Sequence, residues 1–363
     1  LVDVEKEFYF SQKIKTMIPA KAYAAYQPDQ PLKPFEFNRR AVGPHDIQIE
    51  IKYCGVCHSD LHRARGEWKG TDYPLVPGHE IVGIVLSVGS HVSKFKKGDL
   101  AAVGVIVDSC RECANCRQEM ENYCVEGPTG TYNVKERDGS GITRGGYSSQ
   151  IVTDQRFVYH FSDKLDMKAV APLLCAGITT YSPLKYAGVK KGMKVGVAGL
   201  GGLGHMGVKF AVAFGAEVTL ISHTPSKEQD AKRLGAHHFL LSSDTDQMKK
   251  HESYFDIILN AISAQHDYKK YLDLLALNGK MLLVGLPPEN PKVDPFALIK
   301  NRRTIMGSMI GGTTETQEML DFCAEHNIVS DIELIPIQKI DEAYDRMVKG
   351  DVRYRFVIDM STL

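Results

Sequence analysis

From residue 19 to about 170, apolar positions come in short β-branched runs. IQIEIKYC (47–54), EIVGIVLSVG (80–89) and QIVTDQRFVYHF (150–161) predict strands. Glycine and proline are dense between them, as in PLVPGHE (74–80), so an irregular all-β region is expected. The pattern changes near Pro172. KVGVAGLGGLGHMGVKFAVAFGAEVTLIS (194–222) predicts strand, glycine turn, helix and strand. SKEQDAKRLG (226–235) predicts a helix ended by glycine. FDIILNAI (255–262) predicts a strand, YKKYLDLLAL (268–277) a helix and GKMLLVG (279–285) another strand. Strands alternating with helices of this length imply a parallel, doubly wound sheet. TQEMLDFCAEHNI, IDEAYDRMVKG and YRFVIDM predict two helices and a last strand, which either extend that sheet or return to the β region.

A chain of 363 residues suggests about two domains. Hydrophobic residues at 43% and charged residues at 24% are ordinary for a globular protein. The 44 basic and 44 acidic residues cancel, which argues against a nucleic-acid partner, since such binders concentrate basic surface. Apolar runs fall short of the roughly 20 residues a membrane span requires, so no membrane partner is expected. Residues 1–16, LVDVEKEFYFSQKIKT, lack the basic start and apolar core of a signal peptide. They read as a tag-like or upstream extension before Met17 and are set aside. A cytoplasmic location is expected. The eight cysteines are then expected as metal ligands or buried thiols rather than disulfides.

The glycine loop offers the first chemistry. GLGGLG places Gly199, Gly201 and Gly204, with Gly202 and Leu203 between, after a predicted strand and before a predicted helix. The first glycine permits a tight turn, the second admits a pyrophosphate, and the third lets helix and strand pack closely. The helix N-terminus favours negative phosphates. The end of the next strand selects the dinucleotide. An NAD site has an acid there, whereas this chain has Ser222, His223, Thr224 and Lys227, with no acid until Glu228. Small hydroxyls leave room for a 2′-phosphate and a lysine pairs with it. At roughly 1.5–3 kcal/mol per charge-assisted hydrogen bond, NADP(H) is expected over NAD(H). The plainer alternative makes Lys227 a solvated lysine at a helix start.

Cys110, Cys113, Cys116 and Cys124 form the pattern CxxCxxCx7C. Four thiolates this close suit a closed tetrahedral zinc site that ties a loop together; an iron–sulfur cluster shares the ligand type. YCGVCHSDLH (53–62) poses a harder choice. A catalytic zinc takes about three protein ligands and keeps one position open. Cys54, Cys57, His58, His62, His79, Glu80 and Cys175 are candidates, and spacing does not separate Cys54 from Cys57. Cys175 lies where the β region gives way to the sheet region. A metal shared by both would sit in an interdomain cleft beside the dinucleotide.

CGVCHSDLH, GHE, CxxCxxCx7C and GLGGLG together resemble a zinc-dependent medium-chain alcohol dehydrogenase over about residues 19–360. YPLVPGHEIVG, LLCAGIT, the SxTxxK-like strand end and YRFVID are similar to its cinnamyl alcohol dehydrogenase branch, which includes bacterial aldehyde reductases. The resemblance implies an α/β protein with a GroES-like irregular β-barrel catalytic domain (17–174 and 313–363) and a Rossmann doubly wound parallel-sheet NADP-binding domain (175–312), with the active site in the cleft between.

It also implies a catalytic zinc on Cys57, His79 and Cys175, with Cys54 left out, and a structural zinc on the four-cysteine group. Ser59 is implied to bond the alcohol oxygen and His62 to end the proton relay. Asp60 orients the site, Glu80 is the nearby carboxylate, and His58 lies near the cofactor phosphates. Trp68, Val105 and Met309 are expected to border the substrate pocket. The expected reaction is reversible hydride transfer between NADP(H) and a primary alcohol or aldehyde, aromatic (cinnamyl-type) or medium aliphatic, by a homodimer. The alternatives are an NAD-dependent zinc polyol dehydrogenase, a zinc-free quinone reductase, and a non-catalytic cofactor- or zinc-binding protein.

Overall fold

The computed structural model describes residues 17–363; the extension read at 1–16 lies outside them. Two sheets dominate. Strands β1 (Asp46–Gly55), β2 (Ile81–Val88), β3 (Leu100–Val103), β4 (Gln150–Asp154) and β5 (Val158–Tyr159) come from the first half of the chain. A parallel sheet follows, of β6 (Lys194–Ala198), β7 (Glu217–Ser222), β8 (His238–Leu241), β9 (Phe255–Asn260), β10 (Leu275–Leu283) and β11 (Thr304–Gly307). Its spatial order is β8-β7-β6-β9-β10-β11, so the strand order reverses at β6. In doubly wound sheets the ligand crevice lies at that reversal, beyond the carboxyl ends of the strands. β6 and β9 are buried along nearly their whole length, as expected of strands covered on both faces.

The C-terminal strands β12 (Ile332–Pro336) and β13 (Arg355–Asp359) do not extend this sheet. β13 pairs antiparallel with β1, setting Ile358 opposite Cys54 and Val357 opposite Gly55. The last strand therefore returns to the first sheet and brings Arg355 to its end. One buried apolar cluster joins both regions, with Leu174, Val197, Leu259, Tyr354 and Val357 among its members.

Two expected elements differ. The 150–161 stretch is broken by a short 3-10 turn at Gln155–Phe157, because the Asp154 carboxylate accepts from the Arg156 N–H at 2.9 Å and turns the chain. The helix expected over 268–277 ends at Leu272; Leu274 and Leu275 are buried, and β10 begins at Leu275. β12, the parallel neighbour of β13, has no counterpart in the sequence reading. No helix among the described residues is long and apolar enough to cross a membrane.

Candidate active site

β1 runs straight into the disputed cysteines. Cys54 is its penultimate residue, with 0% exposure. Its sulfur packs so tightly that a β-carbon on Gly78 or Gly146 would approach it to 2.8 Å. Burial raises this thiol well above its usual range, with the Asp60 and Glu80 charges adding to the effect. Cys57 instead lies past the strand, as the N-cap of helix α1 (His58–Ala64). The chain turn between the two residues sends one sulfur into the core and the other into a cluster.

In that cluster, one ligand atom each from Cys57, His79, Glu80 and Cys175 lies within 4.8 Å of the others. The Cys57 sulfur and that of Cys175, the N-cap of helix α2 (Ala176–Tyr186), are 3.9 Å apart, and both cysteines are free. The Cys175 hydrogen bond draws the Cys57 thiol well below its usual range against the cost of burial, with help from Arg355 and His79. The donor set is two soft sulfurs and an imidazole, one sulfur already drawn toward thiolate. That suits zinc, which binds thiolate and neutral imidazole.

Asp60 organises this set from 0% exposure. It accepts the Cys57 N–H at 2.9 Å and the Gly78 N–H at 3.0 Å, and lies 3.2 Å from His79 Nδ1. An Nδ1–H donated to Asp60 leaves Nε2 of His79 for the cluster. Glu80 is equally buried; burial pushes its carboxyl up to about 7, although Arg355 opposes the shift. Oε1 pairs with Arg355, while Oε2 has no partner among the described residues. A β-carbon at residue 55 would fall 2.0 Å from Oε2, so Gly55 leaves space for this carboxylate.

Arg355 is a residue the sequence reading missed. Its guanidinium also lies against the glycine loop, where a β-carbon on Gly202 would meet Nη1 at 2.9 Å. The available signal was a cation inside the apolar strand YRFVID, since a buried charge requires a partner. Tyr132 was missed too; its ring centroid lies 5.8 Å from that of His79.

The remaining candidates lie at different depths. Ser59 Oγ is 3.8 Å from Cys57 Sγ. His62 pairs with Glu67 and stacks on Trp68, ring centroids 5.2 Å apart. The His58 ring lies 6.1 Å from that of His62, and burial lowers its pKa. The Val105 carbonyl accepts the Thr131 N–H at 3.0 Å, one residue before Tyr132. Met309 is 48% exposed and tied to the four-cysteine lobe, with Asn122 Nδ2 donating to its carbonyl at 2.8 Å.

At the end of β6, Gly199 adopts φ +90°, which glycine alone takes without strain. A β-carbon on Gly204 would stand 1.9 Å from the Gly199 carbonyl oxygen, so helix α3 (Gly204–Ala213) packs directly on the turn. Gly201 has open space where a side chain would stand, and Leu203 immediately precedes the helix. This bare, open turn at a helix N-terminus fits a pyrophosphate. At the end of β7, Ser222 is buried and its hydroxyl accepts the Thr224 N–H at 3.2 Å; His223 is exposed. Lys227 opens helix α4 (Lys227–Arg233), half-buried, with its amine 5.3 Å from the Tyr354 ring centroid. It is not a freely solvated lysine.

Cys110, Cys113, Cys116 and Cys124 bring their sulfurs within 4.8 Å of one another. Backbone amides of Cys110, Cys113 and Cys116 donate to the sulfurs of Cys124, Cys110 and Cys113 at 3.4, 3.4 and 3.5 Å. Such donors stabilise thiolates, and four of them fit a closed zinc site.

Residues 43–163 match the family described as alcohol dehydrogenase GroES-like domain, and residues 202–325 match zinc-binding dehydrogenase. Aldehyde reductase YahK of Escherichia coli (strain K12) is 54% identical over 347 residues, covering 94% of this chain and 99% of that protein. Mannitol dehydrogenase of Petroselinum crispum is 52% identical over 332 residues, covering 91% and 98%. The crystal structure of CAD from Helicobacter pylori complexed with NADP(H) superposes with a TM-score of 0.89 at 45% identity, covering 95% and 99%. The chain belongs to the zinc-binding alcohol dehydrogenase family, a GroES-like domain joined to a Rossmann-type parallel sheet.

Proposed function

We propose that this protein interconverts aldehydes and primary alcohols with NADP(H), working at the Cys57–His79–Cys175 cluster. The convergence of those three residues beside Glu80, at the crevice of the parallel sheet, carries the reading. Cys57, His79 and Cys175 would hold a catalytic zinc, and Cys110, Cys113, Cys116 and Cys124 a structural one. When bound, the catalytic zinc supplies Lewis-acid polarisation of the substrate oxygen and the dinucleotide supplies hydride.

The chain's own groups do the rest. Asp60 fixes His79 and the start of α1. Ser59 is next to Cys57, so its hydroxyl is placed to hand a proton to or from the substrate oxygen. His62, 33% exposed in the last turn of α1 and paired with Glu67, exchanges that proton with solvent. Arg355 holds Glu80 on one side and the glycine loop on the other. The amides of 201–204 receive the pyrophosphate, and Ser222, Thr224 and Lys227 the 2′-phosphate.

Residues 17–174 and 313–363 would form the catalytic domain and 175–312 the cofactor domain. Trp68, stacked on His62, and Tyr132, beside His79, would give the pocket aromatic walls, which favour aromatic or medium aliphatic aldehydes. The relatives carry names with different substrates at similar identity, so a sugar whose reduction would give a polyol belongs in the same assay. The outer edge of β11, which pairs with no strand among the described residues, and the exposed Leu286, Phe296 and Ile299 support a homodimer.

Initial rates with NADPH and NADH against benzaldehyde, cinnamaldehyde, butanal, mannose and a quinone, before and after chelation, test the reading. Chelator-sensitive aldehyde reduction with NADPH is expected. Quinone reduction insensitive to chelator would reject it.

A further inference from the structure

We infer that Arg353, outside the nucleotide-binding sheet, helps select NADP(H) by reading the 2′-phosphate together with Lys227. The inference rests on the reading of Ser222, Thr224 and Lys227 as the pocket for that phosphate.

The segment entering β13 is pinned across the cofactor region. The Asp331 carbonyl accepts the Tyr354 and Arg355 N–H groups at 3.0 and 3.2 Å. The Asp331 carboxylate is held by Lys209 of α3 at 2.5 Å and by Arg233 of α4. Fixed in this way, the Tyr354 ring stacks on His205 in the first turn of α3, centroids 5.1 Å apart, and also faces the Lys227 amine. Arg353 reaches the same turn of α4. Its Nε lies 3.2 Å from Asp230 Oδ2, three residues after Lys227 in the first turn. Its backbone N–H donates to Glu333 Oε1 at 2.9 Å, which anchors the residue from the other side.

The charges are unevenly matched. Lys227 forms no salt bridge among the described residues, and burial and the Arg353 charge both pull its pKa down. Asp230 is shared between Arg353 and Arg233, the latter at 3.6 Å. The terminal amino groups of Arg353 have no protein partner among the described residues, and its side chain is 54% exposed. An arriving phosphate dianion would relieve the repulsion between Lys227 and Arg353. A guanidinium offers it a planar pair of donors that a lysine lacks. NAD(H) has no group in this place. A short segment thus sets Arg355 at the pyrophosphate end of the cofactor crevice and Arg353 at the 2′-phosphate end.

Calorimetric binding of adenosine 2′,5′-bisphosphate and of 5′-AMP to the full chain tests this without turnover. Wild type is expected to prefer the bisphosphate. Arg353→Ala should weaken the bisphosphate about tenfold and leave 5′-AMP unchanged, while Arg353→Lys keeps part of the loss from appearing. The KM for NADPH should rise in parallel with kcat and the NADH parameters steady. Equal weakening of both nucleotides, or no weakening, overturns the role of Arg353. If Lys227→Ala abolishes the preference while Arg353→Ala does not touch it, the pocket stands and Arg353 is not part of it. If wild type shows no preference, the pocket reading fails and this inference with it.

Discussion

The two cysteine clusters use the same ligand atom in opposite ways. The four-cysteine lobe is assembled within fifteen residues, from Cys110 to Cys124, and its sulfurs take hydrogen bonds from their own backbone. The Cys57 cluster draws on chain positions as distant as 57 and 175, mixes sulfur with imidazole, and lies against a buried carboxylate with one oxygen unpaired among the described residues. A closed set of identical ligands ties a loop and leaves nothing to react. A mixed set at a crevice, backed by charged groups that are not fully satisfied, leaves room for exchange and chemistry.

Loss of a ligand should therefore have different consequences in the two clusters. Cys57→Ser is expected to cut kcat at least about a thousandfold, the scale of losing activation of a substrate oxygen. Cys110→Ser should lower the thermal midpoint by several degrees and leave kcat per folded molecule within about twofold. If Cys110→Ser stops turnover while the midpoint holds, the contrast between the clusters collapses.

Within the Cys57 cluster, Ser59→Ala should lower kcat about a hundredfold, the usual range for a lost proton-transfer group. The NADPH dissociation constant should stay put; a normal kcat would remove Ser59 from the proton path. Arg355→Leu leaves Glu80 buried without its cation, a change that costs about 3–5 kcal/mol in comparable pairs. Denaturant unfolding reads this directly, and a loss under about 1 kcal/mol would mean Glu80 is already neutral. Cys54→Ser carries the smallest expected effect on catalysis, because that thiol faces the core. Its kcat should stay within a few-fold of wild type, and a loss equal to that of Cys57→Ser would reverse their assignment.

Much of the fold was legible because its signals are local. Alternating apolar strands and helices announced the parallel sheet, and GLGGLG marked its first turn. Two misjudged elements failed for local reasons as well. Asp154 capped a turn inside an apparent strand, and the apolar run after Leu272 joined β10 instead of the preceding helix. Apolar residues near a boundary serve either element, and burial decides between them.

By itself the sequence determined what close spacing can determine: four cysteines near enough to share an ion, a glycine turn that only a small residue permits, and a β7 end without an acid. Spacing did not separate Cys54 from Cys57; the resemblance implied Cys57, and the tertiary structure brings that sulfur into the cluster because β1 stops and α1 begins between the two residues. Tertiary structure alone brought Arg355 from the end of the chain to Glu80 and Gly202, and Arg353 to α4. Those contacts arise from the pairing of β13 with β1, and strand pairing between residues about 300 apart leaves no trace in local periodicity.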